Sequence, residues 1–189
     1  MPDWRSLEYL LNGTKRQKDA YYALNEIALM EKLKDYHPIL VGTIPIDIDI
    51  PKSDLDIICQ AHDYADFGKL VQFHFGNFDN FTTNQNENRF LANFKYGAFD
   101  IEIFATNQPT EAQPAYRHML IEDRILQLLG NKFRSEIRNL KSKGLKTEPA
   151  FGALLEFGSN PYEVLLVYER WSPTELKEKL SSFITKYQS

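Results

Sequence analysis

Cysteine is almost absent from this chain. Cys59 alone among 189 residues excludes an internal disulfide and a cysteine-rich zinc site, and its apolar setting reads as inert core. Basic charge is also short: 22 Lys and Arg stand against 26 Asp and Glu, a formal net charge of -4 at pH 7. Broad capture of DNA or RNA needs a basic face, so only a local basic cleft for phosphates stays open. No uncharged apolar run approaches the ~18 residues of a membrane span, and the amino terminus MPDWRSLEYLL has charges where a signal peptide needs an unbroken apolar core. These absences predict a cytoplasmic protein with no membrane attachment. What is present is ordinary for a folded enzyme: 43% hydrophobic residues, enough for one compact domain or a domain with a smaller helical lobe.

Periodicity divides the chain into an α/β part and a helical part. A short helix over Asp3–Leu11 ends at Asn12-Gly13. Thr14 with Gln17 forms a capping box that opens a longer helix, with Ala20, Leu24, Ile27, Met30 and Leu33 as its core stripe, ending near Tyr36-His37-Pro38. From Ile39 to Ile58 the period becomes two and strands are predicted. A helix over Ala61–Phe75 follows, then strands over Phe78–Thr83, Arg89–Tyr96 and Ala98–Phe104, the last two as a hairpin at Tyr96-Gly97. After Thr106 the chain is helical. Thr110 with Gln113 predicts a second capping box, and Ser172-Pro173-Thr174-Glu175 the start of the terminal helix. The aromatic residues Phe73, Phe75, Phe78 and Phe81 read as core. The expected division is residues 1–108 as an α/β (α+β) domain, a mixed sheet flanked by helices, and residues 109–189 as a helical part packed against it.

The chemistry concentrates in VGTIPIDIDIPKSDLDI, residues 41–57. Asp54 and Asp56, at i and i+2 of an extended segment, project from one face about 7 Å apart, a platform for a divalent cation. Hard cations such as Mg²⁺ fill their remaining positions with water and substrate phosphates. Gly42-Thr43 can supply a phosphate cradle, since glycine admits close backbone approach and the threonine hydroxyl adds a donor. Asp47 and Asp49 alternate with isoleucines and read as the wet face of a strand, whereas Asp54 and Asp56 open the apolar run Leu55, Ile57, Ile58 and Cys59 of a buried strand.

Val41-Gly42-Thr43, a gap, then Asp54-Leu55-Asp56, with the later run Phe99-Asp100-Ile101-Glu102-Ile103, resembles the signature of the DNA polymerase beta-like nucleotidyltransferase superfamily. The segments VGTIPIDIDIPKSDLDIIC, AYRHMLIE and GLKTEPAF make the whole chain similar to an uncharacterised bacterial family placed in that superfamily. The resemblance implies a nucleotidyltransferase-like mixed sheet followed by helices. It also implies a metal-dependent enzyme that moves a nucleoside monophosphate from a nucleoside triphosphate to a hydroxyl acceptor, with Mg²⁺ or Mn²⁺ as cofactor in a two-metal site. Asp54 and Asp56 would hold the ions and a third acid would complete the set. Asp100 fits the family pattern better and is the expected metal ligand, while Glu102, two residues on, faces the same side. The acceptor is open between a small molecule, a protein and an RNA end.

Further candidates are weaker. Lys52, in the turn beside the acids, and Lys146, near Gly144 in a loop with Lys143, could meet a triphosphate or stand as solvated surface charges. Arg117 keeps register with Ile121, Ile125 and Leu128, so its guanidinium leaves an apolar stripe and needs a carboxylate or phosphate partner. Gly42, Thr43, Lys52, Arg117 and Lys146 form the expected substrate-binding set, and His118 reads as structural. The alternative is a binding module on the same fold that holds a nucleotide or a partner without turnover. Catalysis requires the acid set intact and binding does not.

Overall fold

The computed structural model describes residues 2–188 and groups the chain into two compact units, Met1–Asp47 with Lys52–Tyr116, and Ile48–Pro51 with Arg117–Ser189. The division in the second half falls within the first turn of a helix.

The first unit is built on a five-stranded mixed sheet: β1 (Ile39–Val41), β2 (Leu55–Gln60), β3 (Asp79–Gln85), β4 (Phe90–Tyr96) and β5 (Phe99–Thr106), in the order β1-β2-β5-β4-β3. Only β2 and β5 run parallel; the other pairs are antiparallel. Alternation along β5 buries Phe99, Ile101, Ile103 and Ala105 and leaves Asp100, Glu102, Phe104 and Thr106 on the other face. The buried set joins Phe90, Ala92 and Phe94 of β4 and Leu55, Ile57 and Cys59 of β2 in one core. Helices α1 (Lys15–Glu26), α2 (Leu29–Lys32) and α3 (Tyr64–Phe75) contribute Ala20, Leu24, Leu29, Phe67, Val71 and Phe75 to it. Phe67 meets Phe90 edge-on at 5.2 Å and Phe75 stacks on Phe94 at 5.3 Å. Burial drives the thiol of Cys59 far above its ordinary ionisation range, so this side chain behaves as a small hydrophobe.

Several sequence expectations shift. The first short helix is a 3-10 helix over Glu8–Asn12. The Thr14–Gln17 capping box forms with both of its hydrogen bonds, but the helix it opens breaks at Ala28, which takes a left-handed conformation. Strand structure does not run from Ile39 to Ile58. Ile46-Asp47 ends a turn with Asp47 left-handed at φ 57°, and Ile48-Asp49-Ile50 is irregular. Its isoleucine spacing buries Ile46 and Ile48 without any strand to pair with. Thr110 does not cap: Thr110–Ala112 is a 3-10 turn, and Gln113 instead donates from Nε2 to the carbonyls of Cys59 and Gln108. Phe73 is exposed, not core.

The second unit is helical: α4 (Pro114–Ser142), α5 (Thr147–Leu154), α6 (Pro161–Glu169), α7 (Pro173–Lys179) and α8 (Ser181–Gln188). Gly130, at φ 76° and ψ -166°, interrupts α4, a conformation open to glycine at little cost. Ile121, Ile125, Leu129, Phe133 and Ile137 of α4 are buried, and Phe133 meets Phe151 and Tyr187 edge-on at 5.5 and 5.0 Å. The Ser172 capping box and Pro173 open α7 as expected. Among the described residues no helix is long and apolar enough to cross a membrane.

Candidate active site

Antiparallel pairing sets Val41 of β1 opposite Asp56 of β2, so the chain leaving β1 carries Gly42 past the Asp56 carboxylate. A side chain at Gly42 would put its Cβ 2.4 Å from Asp56 Oδ2, and the backbone there has φ +83°. Glycine is required at this position for space and for conformation. The Thr43 hydroxyl donates to Ser53 Oγ at 3.2 Å, drawing the residue after the glycine to the residue before Asp54. The two halves of the motif, distant in sequence, therefore meet.

Asp54 lies exposed at the entry to β2, and Asp56 is half-buried within it. Parallel pairing places Asp56 opposite Glu102 of β5. Glu102 is half-buried, and its carboxyl ionises above the usual range because of burial first and the negative charge of Asp54 second, with Arg89 opposing. Asp100 is exposed and lies opposite Lys95 of β4. Register and charge thus associate Asp54, Asp56 and Glu102, with Asp100 one step further along the same face of β5. Among the described residues no three His, Cys, Asp or Glu side chains are gathered closely enough to hold a metal ion as they stand.

Two residues outside the expected site set hold this end of the sheet. Arg16 Nη2 donates to the Ser53 carbonyl at 3.0 Å, with its guanidinium 4.4 Å from the centre of the Phe99 ring. Gln17 closes the capping box and also donates from Nε2 to the carbonyls of Ile44 and Pro45, at 2.9 and 3.0 Å. The capping pattern identified Gln17, but nothing local identifies its long-range use.

Lys52 is exposed in the turn before Ser53. The remaining candidates belong to the helical unit. Arg117 donates from Nε to both carboxylate oxygens of Glu169, at 3.0 and 3.1 Å, and from Nη2 to Oε2, so its required partner is a carboxylate of its own unit. Lys146 is exposed immediately before α5. His118 has Nε2 3.0 Å from the Tyr162 carbonyl and Nδ1 3.5 Å from Glu148 Oε1, the contacts of a structural histidine.

Solved structures share this fold. A cytoplasmic RNA terminal U-transferase is 12% identical with a TM-score of 0.53, over 84% of this chain and 50% of that one. The Cid1 poly(U) polymerase with MgGTP is 12% identical with a TM-score of 0.55, over 84% of this chain and 53% of that one. In the GLD-2/RNP-8 complex the values are 12% and 0.55, over 96% and 84%. The chain spans about half the length of the first two. At such identity the likeness is one of fold: an α+β nucleotidyltransferase fold with a mixed five-stranded sheet and flanking helices. No curated protein matches the chain significantly. A family model described as Domain of unknown function (DUF4269) matches residues 22–168, well over half of the chain and including Asp54, Asp56, Asp100 and Glu102. This chain belongs to that DUF4269 family, carried on a nucleotidyltransferase fold.

Proposed function

We propose that the protein is a nucleotidyltransferase that moves a nucleoside monophosphate from a nucleoside triphosphate to a hydroxyl acceptor. The observation that carries this reading is the closure of the motif in space: Gly42 against the Asp56 carboxylate, Thr43 bonded to Ser53, and Glu102 opposite Asp56. The fold of the solved nucleotidyltransferases supports it.

The donor set fits Mg²⁺ or Mn²⁺. It consists of carboxylate oxygens alone, it includes like charges close enough for Asp54 to raise Glu102, and its few protein ligands suit a cation that completes its shell with water and phosphate. When bound there, such cations neutralise charge on the phosphates and activate the attacking hydroxyl. Asp54 and Asp56 would hold them. Glu102 is the third acid in this reading, supported by its register with Asp56, in preference to the more exposed Asp100. Gly42 leaves the room that the Asp56 carboxylate occupies, and the Thr43 hydroxyl and Lys52 ammonium lie along the same loop as candidate donors to a phosphate. Lys146 is the phosphate-directed candidate of the helical unit. Arg117, engaged by Glu169, is assigned no phosphate in this reading.

The test is thermal stability with ATP, GTP, CTP or UTP, each with MgCl₂, with MnCl₂ and with EDTA. A ligand bound only by the native state adds RT ln(1 + [L]/Kd), about 2.7 kcal/mol at a hundredfold excess over Kd. A rise in Tm for at least one nucleotide that requires the divalent cation is expected. Equal shifts with and without metal would overturn the metal-dependent reading. Incubation of the responsive nucleotide, labelled in its base, with Mg²⁺ and cell extract then reads transfer and identifies the acceptor.

A further inference from the structure

Asp54 and Asp56 stand two residues apart, but the sheet does not hold them alike. β1 pairs with β2 as far as Val41 opposite Asp56, and β5 pairs with β2 from Ile101 opposite Leu55 onward. Among the described residues, Asp56 therefore lies in both ladders and Asp54 in neither. Ladder hydrogen bonds fix the backbone that carries Asp56. The backbone that carries Asp54 needs another restraint, since a pair of carboxylates serves a cation only while both keep their places.

Ser53 receives that restraint. Its hydroxyl accepts from Thr43 at 3.2 Å, and its carbonyl, in the peptide unit shared with Asp54, accepts from Arg16 Nη2 at 3.0 Å. A peptide unit is planar, so a bond to that oxygen also orients the nitrogen and Cα of Asp54. The donor is itself held. Arg16 lies in the first turn of α1, between the capping residues Thr14 and Gln17, and its guanidinium stands 4.4 Å from the centre of the Phe99 ring. Phe99 is 3% exposed at the start of β5, opposite Tyr96 of β4. A flat cation laid on a buried ring has given up much of its freedom before it meets the carbonyl. Gln17, the next residue, holds the Ile44 and Pro45 carbonyls. Neighbouring residues of one helical turn thus grip the chain just after Gly42-Thr43 and just before Asp54.

We propose that Arg16 is a positioning residue for Asp54: seated on Phe99, it holds the Ser53 carbonyl and so fixes the acid that the sheet ladders leave out. The purpose of this restraint rests on the nucleotidyltransferase reading, and the restraint itself on the hydrogen bond and the ring contact. Charge and position act in opposite directions here. By Coulomb's law alone, loss of a cation beside the acids favours Mg²⁺, whereas loss of the positioned carboxylate disfavours it.

The test compares wild type with Arg16→Met, which keeps an apolar contact for Phe99 and removes the donor. Hydrogen exchange without ligand is read over residues 53–57 and over β4. The thermal shift is then titrated with MgCl₂ while the responsive nucleotide is held in excess. In Arg16→Met, exchange over 53–57 should accelerate about tenfold or more while β4 keeps its protection. The Mg²⁺ concentration giving half of the shift should rise about tenfold or more. Unchanged exchange over 53–57 overturns the restraint, and a rise in the Mg²⁺ midpoint without it would mean that Arg16 touches the ligand directly. Faster exchange with an unchanged or lowered Mg²⁺ midpoint overturns the positioning role. A wild type with no Mg²⁺-dependent nucleotide response overturns the functional reading and with it the positioning role, while the exchange arm still decides the restraint. If Arg16→Met fails to fold, Arg16→Gln, whose shorter side chain draws the donor back from Ser53, is read in its place by the same criteria.

Discussion

A methyl group added at Gly42 would stand 2.4 Å from Asp56 Oδ2, whereas one added at Gly97, also at positive φ, would meet nothing within 4 Å. The pair separates backbone strain from collision. Gly97→Ala should lose about 1 kcal/mol, the cost of the left-handed conformation. Gly42→Ala should lose more, about 2–3 kcal/mol with the displaced carboxylate included, together with the Mg²⁺-dependent nucleotide response. Equal denaturant midpoints for the two variants would deny the close approach. The acids on β5 are tested in the same way. Glu102→Gln should abolish transfer while nucleotide binding through Asp54 and Asp56 persists, because a group serving the attacking hydroxyl acts on the transition state more than on the ground state. Asp100→Asn should lose less, and the reverse ranking would return the role to Asp100. The sequence placed both acids on one face but could not choose between them. The pairing of β2 with β5 sets Glu102, and not Asp100, opposite Asp56, and that pairing joins segments far apart in the chain.

At the scale of elements, Gln17 does two jobs with its two polar atoms. Its Oε1 accepts from the Thr14 N–H, and its Nε2 donates to the Ile44 and Pro45 carbonyls. Gln17→Glu keeps the acceptor but sets a carboxylate against two carbonyls, so it should destabilise by about 1–3 kcal/mol where Thr14→Ala costs about 1 kcal/mol. If Gln17→Glu is neutral in urea unfolding, the contact with the loop carries no weight. Capping patterns at Thr14 and Ser172 were legible because each is closed by its own few residues. The similar pattern at Thr110 failed because Gln113 has a better use in holding the end of β2 through the Cys59 carbonyl. The isoleucine alternation from Ile44 to Ile50 misled for a related reason. A period of two reports which side chains are buried, and here the backbone bonds that decide the conformation come from Gln17 and Lys141.

For the molecule as a whole, charge and pH give two measurements. With a net charge of -4, duplex DNA should not be retained at micromolar protein in about 0.15 M salt; retention would reveal a basic face that the overall charge conceals. The Glu122 carboxyl is held protonated well above its ordinary range by burial, then by Glu148, with Lys141 opposing. Because the folded state raises this ionisation, the associated stability is complete below the unfolded value of about 4.3 and is lost as pH rises through the folded one. Glu122→Gln should therefore raise Tm at neutral pH, with a gain that shrinks toward pH 4. A variant less stable than wild type at neutral pH would mean that Glu122 is ionised there with Lys141 as its partner.

The chain by itself determined what is local or periodic: the helical caps, the strands over 90–96 and 99–106 within a residue or two, the buried thiol, and the Gly-Thr and Asp-Leu-Asp elements that the superfamily resemblance joined into one motif. Each is written within a few consecutive residues, where sterics and burial act without help from elsewhere. Tertiary structure alone decided the rest. It set Gly42 against Asp56, placed Glu102 opposite Asp56, engaged Arg117 with Glu169, and grouped Ile48–Pro51 with the helical unit, where Lys141 donates to the Ile48 carbonyl. These relations depend on strand register and on hydrogen bonds between distant segments. A single sequence carries the groups that make such bonds, and the fold decides which of them meet.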